Sequence, residues 1–349
     1  MLKNSKDNKI EKEGIFIANT SERIGLTTLK ALCNEYQKRI DSNPDSILEP
    51  IYINIRHEEE KNNNNLKRFQ KYPFIKFVIT DFQKVNTEFI DVLDSLHLFF
   101  KKISTIFIIP STNNEKVEEI KLLKVQNVLL FSILDPVKNK DKMRNQHYLF
   151  EENLKLSQLN YKILRAGFFM ENLDYYKDEI IYQNNLSIPI GNGEIAPISI
   201  QDIGIVASKI LLNFDSYTKH IYSITGNRLY TGPMMVQLLS KYLNKTITFK
   251  PNPLLMDTED MKEGRINNVF DMPLTSESML HNAWLNKKGI NNRCPCHKPN
   301  DGENEVISLL ELCQSIASHN FNKISNDLQK DFNCTSTNFE DYLLNLCKE

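Results

Sequence analysis

The sequence predicts an α/β protein, a doubly wound parallel sheet followed by a smaller C-terminal α+β lobe. Three observations predict it. Short apolar, β-branched runs alternate with helical stretches through residue 166. The first run enters a helix through "GIFIANTSERIG" (residues 14–25), the outline of a turn that holds a nucleotide phosphate. From about Gly167 the rhythm breaks into Pro/Gly-punctuated pieces.

The elements follow in order. Residues 15–18 form an apolar strand, and Ile24, Thr28, Leu29 and Leu32 then recur at helical spacing over 22–36. Further strands are expected at 51–55, 74–79, 105–109 (ended by Pro110), 127–132 and 161–165. Helices are expected at 87–101, 115–123 and 144–159. Such alternation gives a parallel sheet covered on both faces, with right-handed crossovers. Beyond 167, helices are expected at 202–212, 233–243, 306–318 and 339–346, with a short strand at 246–250. The polar stretch 284–305 reads as an exposed insertion.

Composition narrows the classes. With 349 residues, 41% of them hydrophobic, the chain can bury a large core. A net charge of −1 argues against a whole-domain grip on nucleic acid. The N-terminal stretch is polar, and no apolar run approaches the roughly 18 residues of a membrane span. The six cysteines are sparse and mostly late, unlike a disulfide framework. A cytoplasmic protein is expected, with a nuclear location also open. "CPCH" (Cys294, Cys296, His297) lacks the second ligand pair of a zinc site, so no metal is expected.

The phosphate turn departs from its pattern. Its three small-residue positions fall on Asn19, Glu22 and Gly25. Gly25 keeps the packing role, and Asn19 tolerates left-handed backbone. Glu22 opposes a pyrophosphate, whereas Arg23 can attract one. Thr20 and Ser21 are expected to donate hydroxyls or cap the helix, with Ile24 beside them. A decayed, merely capped turn is the competing reading, and both stay open. The second strand exits at Arg56, which suits the 2′-phosphate of NADP better than the bare ribose of NAD. Asp81 and Phe82 follow the third strand, where an adenine would lie.

Later motifs carry a resemblance. "YKILRAGFFMENL" (161–173), "IPIGNGEIAPISIQDIGIVASKIL", "IYSITG" and "STNFEDYLLNL" resemble successive blocks of NmrA-like proteins, atypical members of the short-chain dehydrogenase/reductase superfamily. The last block is also similar to festuclavine-dehydrogenase-type members. The resemblance spans roughly 14–285 and 306–345. It implies a polar tail at 1–13, an NAD(P)-binding Rossmann domain at 14–166, and a smaller substrate or partner lobe at 167–349. That lobe completes the sheet and carries an insertion at 286–305. It also implies that Asn19 and Arg23 take the places they have in some NmrA-type regulators.

The standard dyad of the superfamily, Tyr-x-x-x-Lys, is missing. Its Lys position falls on His147 and its Tyr position on Met143, which has no proton to give. His147 is the candidate acid or ribose ligand. Ser132 takes the place of the family's strand-end serine. Pro110, Ser132 and His147 complete the expected cofactor contacts. Phe168, Phe169, Met170 and Asn172 are expected at the nicotinamide and substrate, with alternate residues facing core and cleft. Three functions follow: an NADP(H)-responsive regulator or redox sensor with a protein partner, an NADPH-dependent reductase of a quinone, iminium or similar acceptor, and a cofactor-free scaffold.

Overall fold

The computed structural model describes residues 14–18, 20, 23–55, 58–79, 103–110, 125–138, 142–250, 313, 315–317 and 321–348. Seven strands form one parallel sheet: β1 (Gly14–Ile17), β2 (Ile51–Ile55), β3 (Ile75–Ile79), β4 (Ile103–Ile108), β5 (Asn127–Ile133), β6 (Asn160–Ala166) and β8 (Ile221–Ile224). Their spatial order is β3-β2-β1-β4-β5-β6-β8. The order reverses direction between β1 and β4, so a crevice opens beyond the carboxyl ends of these two strands. The central strands β1 and β5 are almost wholly buried, as strands with helices on both faces must be. This is a Rossmann-type fold.

The described helices are α1 (Arg23–Ser42), the single turn α2 (Asn64–Lys67), α3 (Lys142–Leu156), α4 (Lys177–Gln183), α5 (Ile200–Leu212), α6 (Gly232–Leu243), the short α7 (Asp327–Lys330) and α8 (Phe339–Lys348). Strands β7 (Asn185–Leu186) and β9 (Thr248–Phe249) pair outside the main sheet. Of the helices expected from sequence, 87–101 and 115–123 lie outside the described residues, as does most of 306–318. None of the described helices is long and apolar enough to cross a membrane.

Three apolar clusters hold these layers together. One packs α1 and α5 against one sheet face, with Leu29, Leu32, Ile203 and Ile210 among its buried members. Phe150 and Leu154 of α3 close the opposite face against Val128, Leu130 and Ile163. The third fills the C-terminal lobe with Phe168, Met170, Met235, Leu239, Phe339 and Leu343. Helices α1 and α5 approach closely at Gly204. A Cβ there would stand 2.8 Å from Thr27 Cγ2 and 2.9 Å from its carbonyl carbon.

The outer edge of β8 is covered. Asp327 Oδ2 accepts from Ser223 N at 2.8 Å, and Thr225 Oγ1 accepts from Ser325 N at 2.9 Å. Lys219 pairs with both Asp327 and Asp331, at 2.9 and 2.6 Å. Asp327 thus takes up one β8 backbone donor, Ser223 N, that would otherwise invite another strand.

Candidate functional site

The crest of β1 and β4 is the expected ligand end of the sheet. Thr20, fully buried, donates its hydroxyl to Asn54 O at 3.1 Å. That bond ties the turn to the end of β2. Ile24 and Gly25 belong to the buried face of α1, and Ile24 enters the core. Arg23 opens α1 and reaches across the crevice. Its guanidinium lies 3.9 Å from Asp174 Oδ2 and 5.7 Å from the centre of the Tyr175 ring. Pro110, half-buried, follows β4. Asn19, Ser21, Glu22, Arg56, Asp81 and Phe82 lie outside the described residues, as do Cys294, Cys296 and His297.

Helix α3 packs beside β5 and β6. His147 and Glu151 stand four residues apart and share one face of α3. Glu151 is 1% exposed and its carboxylate is saturated. Ser132 donates to Oε1 at 2.7 Å and Arg165 Nε donates to the same oxygen at 2.8 Å. A second Arg165 nitrogen takes Oε2, and Lys155 Nζ lies 3.7 Å from it. Buried charge is tolerated when paired and hydrogen-bonded in this way. The Ser132 hydroxyl, expected to face a ligand, instead points its proton into this network.

One turn earlier, His147 has the opposite surroundings. Its Nδ1 is enclosed and has no hydrogen-bond partner among the described residues. Burial pushes its pKa down to about 4, so the ring is neutral at physiological pH. Arg144, nearly fully buried, fixes the start of α3 by donating to Asp135 O at 2.8 Å and Asp135 Oδ2 at 2.6 Å.

The string "FFMENL" forms the floor of the lobe. Phe168 and Met170 are 1% and 0% exposed and belong to the lobe core, so they do not line a substrate cleft. Asn172 is also buried. Phe169 points the other way, half-buried against the sheet cluster, with its ring 6.2 Å from that of Phe131. Phe168 and Met170 thus face the lobe core and Phe169 the sheet cluster, and Phe169 alone of the four is not buried.

Sequence reasoning passed over Glu171 and Asp202. Glu171 accepts from Ser199 Oγ at 2.8 Å and from Ile200 N at 3.0 and 3.1 Å, capping α5. Burial raises its pKa, against the lowering pull of these bonds and of Arg23. Asp202 accepts from Thr337 N at 2.8 Å and Thr337 Oγ1 at 3.0 Å, fixing the loop before α8. Both contacts are long-range, spanning 29 and 135 residues, so no local sequence cue marks them. Among the described residues, no cluster of three His, Cys, Asp or Glu could hold a metal ion.

No protein-family model matches the chain. A stretch of 137 residues is 28% identical to Prestalk A differentiation protein A of Dictyostelium discoideum, covering 38% of this chain and 42% of that protein. A stretch of 99 residues is 24% identical to NAD(P)H azoreductase of Xenophilus azovorans, covering 28% and 34%. The chain thus spans less than half the length of the curated relatives it matches. Its fold is similar to that of a Staphylococcus aureus nucleoside-diphosphate-sugar epimerase, with TM-score 0.65, 17% identity and coverage of 95% and 99%. It is similar to an Escherichia coli NADPH-dependent quinone oxidoreductase complexed with NADPH, with TM-score 0.64, 14% identity and coverage of 95% and 99%. A mutant NmrA shares it at TM-score 0.57 and 10% identity, with coverage of 96% and 95%. The chain therefore has the Rossmann-type fold shared by NmrA and by NADPH-dependent quinone oxidoreductase.

Proposed function

We propose that this chain is an NmrA-like, NADP(H)-binding regulator or redox sensor. In this reading residues 14–166 hold the dinucleotide at the crest of β1 and β4, and 167–349 presents its state to a protein partner. The carrying observation is the proton inventory of the α3 face. Met143 has no proton, His147 is held neutral with Nδ1 unpaired, and Glu151 is committed to Ser132 and Arg165. A neutral imidazole there suits a contact to a ribose hydroxyl. Arg23 supports the reading, since a phosphate can compete with Asp174 for its guanidinium. Arg56 at the exit of β2 favours NADP over NAD.

The reductase reading keeps one observation in its favour. A quinone or iminium accepts hydride without a protein acid, and the chain shares the fold of an NADPH-dependent quinone oxidoreductase. Mixing the protein with NADPH and a panel of quinones and imines separates the two. The sensor reading expects saturable NADPH binding without enzyme-dependent NADPH oxidation. Sustained turnover on any acceptor would replace it with the reductase.

A further inference from the structure

Cys334 sits against a lysine. Lys209, in the last turn of α5, places Nζ 3.1 Å from Cys334 Sγ and donates to Phe332 O at 2.7 Å. Two features hold the pair in place. Asn333 adopts a left-handed conformation, φ 48°, and turns the chain back. Cys334 N then donates to Leu328 O at 3.1 Å. Both side chains are half-buried. The other described thiols differ. Cys33 is buried and pushed up to about 12, and Cys313 is buried and pushed higher still. Burial also raises Cys347.

We propose that Lys209 and Cys334 form a redox-modifiable pair, joined through a sulfur–nitrogen bond when a hydroperoxide oxidises the thiol. The chemistry takes two steps. The Cys334 thiolate attacks a peroxide oxygen. An S–O bond forms, the O–O bond breaks, and the departing hydroxide leaves as water with the thiol's proton. Sulfur is oxidised by two electrons to the sulfenic acid and the peroxide is reduced. The Lys209 ammonium, already in contact, first gives one proton to solvent, and its neutral nitrogen then attacks that sulfur. The S–N bond forms, the S–O bond breaks, and the oxygen leaves as water with one nitrogen proton. The consequence is mechanical: the segment that covers the β8 edge becomes covalently tied to α5, the helix packed on α1.

The test is peptide mass analysis after graded hydrogen peroxide treatment of the intact protein, beside the Lys209→Arg variant. The expected product joins the peptides around 209 and 334, about 2 Da lighter than their sum, and trypsin fails to cut after Lys209. Dimedone, which traps sulfenic acids, should label Cys334 several-fold more in Lys209→Arg than in wild type. Arg keeps a cation at the site, so an electrostatic or packing role alone would not move that labelling. Equal labelling of the two proteins, or oxidation of Cys334 to higher acids with Lys209 still cleaved, overturns the proposal. It stands independently of dinucleotide binding, since it requires only the peroxide.

Discussion

Two sites one turn apart on α3 are built on opposite principles. Around Glu151 every charge is matched: Ser132, Arg165 and Lys155 converge on one buried carboxylate. Around His147 the protein leaves a ring nitrogen enclosed and unpaired. A saturated buried charge fixes the relation of α3 to β5 and β6, and is a device of the fold. A buried polar atom without a partner costs stability, by roughly 1–3 kcal/mol. Among the described residues, the first arrangement meets its buried polarity and the second does not.

The largest test of this contrast is Glu151→Ala. It strips a counter-charge from Arg165 and an acceptor from Ser132, and should cost about 3–5 kcal/mol in chemical denaturation. A loss below 1 kcal/mol would show the network to be dispensable. Next comes the packing that carries α1. Gly204→Val drives methyl groups into Thr27 and should cost about 1–3 kcal/mol, read as a lowered thermal midpoint. Smaller again is Glu171→Gln, which weakens the α5 cap and should cost about 1 kcal/mol.

The effect at His147 depends on pH and has the sharpest sign. Its folded pKa of about 4 lies below the unfolded value of about 6.5, so the unfolded chain binds more protons between them. Its contribution to stability is present above pH 6.5 and is lost as pH falls towards 4. Denaturation midpoints of wild type should decline through that window, and His147→Phe should flatten the decline. A variant that declines in parallel with wild type would place the proton uptake elsewhere.

The sheet was legible because its strands are apolar, β-branched and short. The expected strand at 127–132 is β5 at Asn127–Ile133, and that at 161–165 is β6 at Asn160–Ala166. Helix α5, expected at 202–212, begins at Ile200, since Ser199 and Glu171 cap it two residues earlier. The candidate site was less legible. Ser132, Glu151 and Arg165 are separated by 19 and 14 residues, and only the sheet register brings them together. Phe168 and Met170 have the composition of a cofactor box and of a core alike. The lobe contributed by α6 and α8 decides for the core.

The central claim is that the crest of β1 and β4 takes up NADP(H) in preference to NAD(H). Calorimetric titration of wild type and Arg56→Ala with NADP+, NADPH and NAD+ tests it most directly. Saturable heat with both NADP forms, weaker heat with NAD+, and loss of that preference in Arg56→Ala are expected. No heat from any of the three nucleotides, in either protein, would contradict it and leave a cofactor-free scaffold.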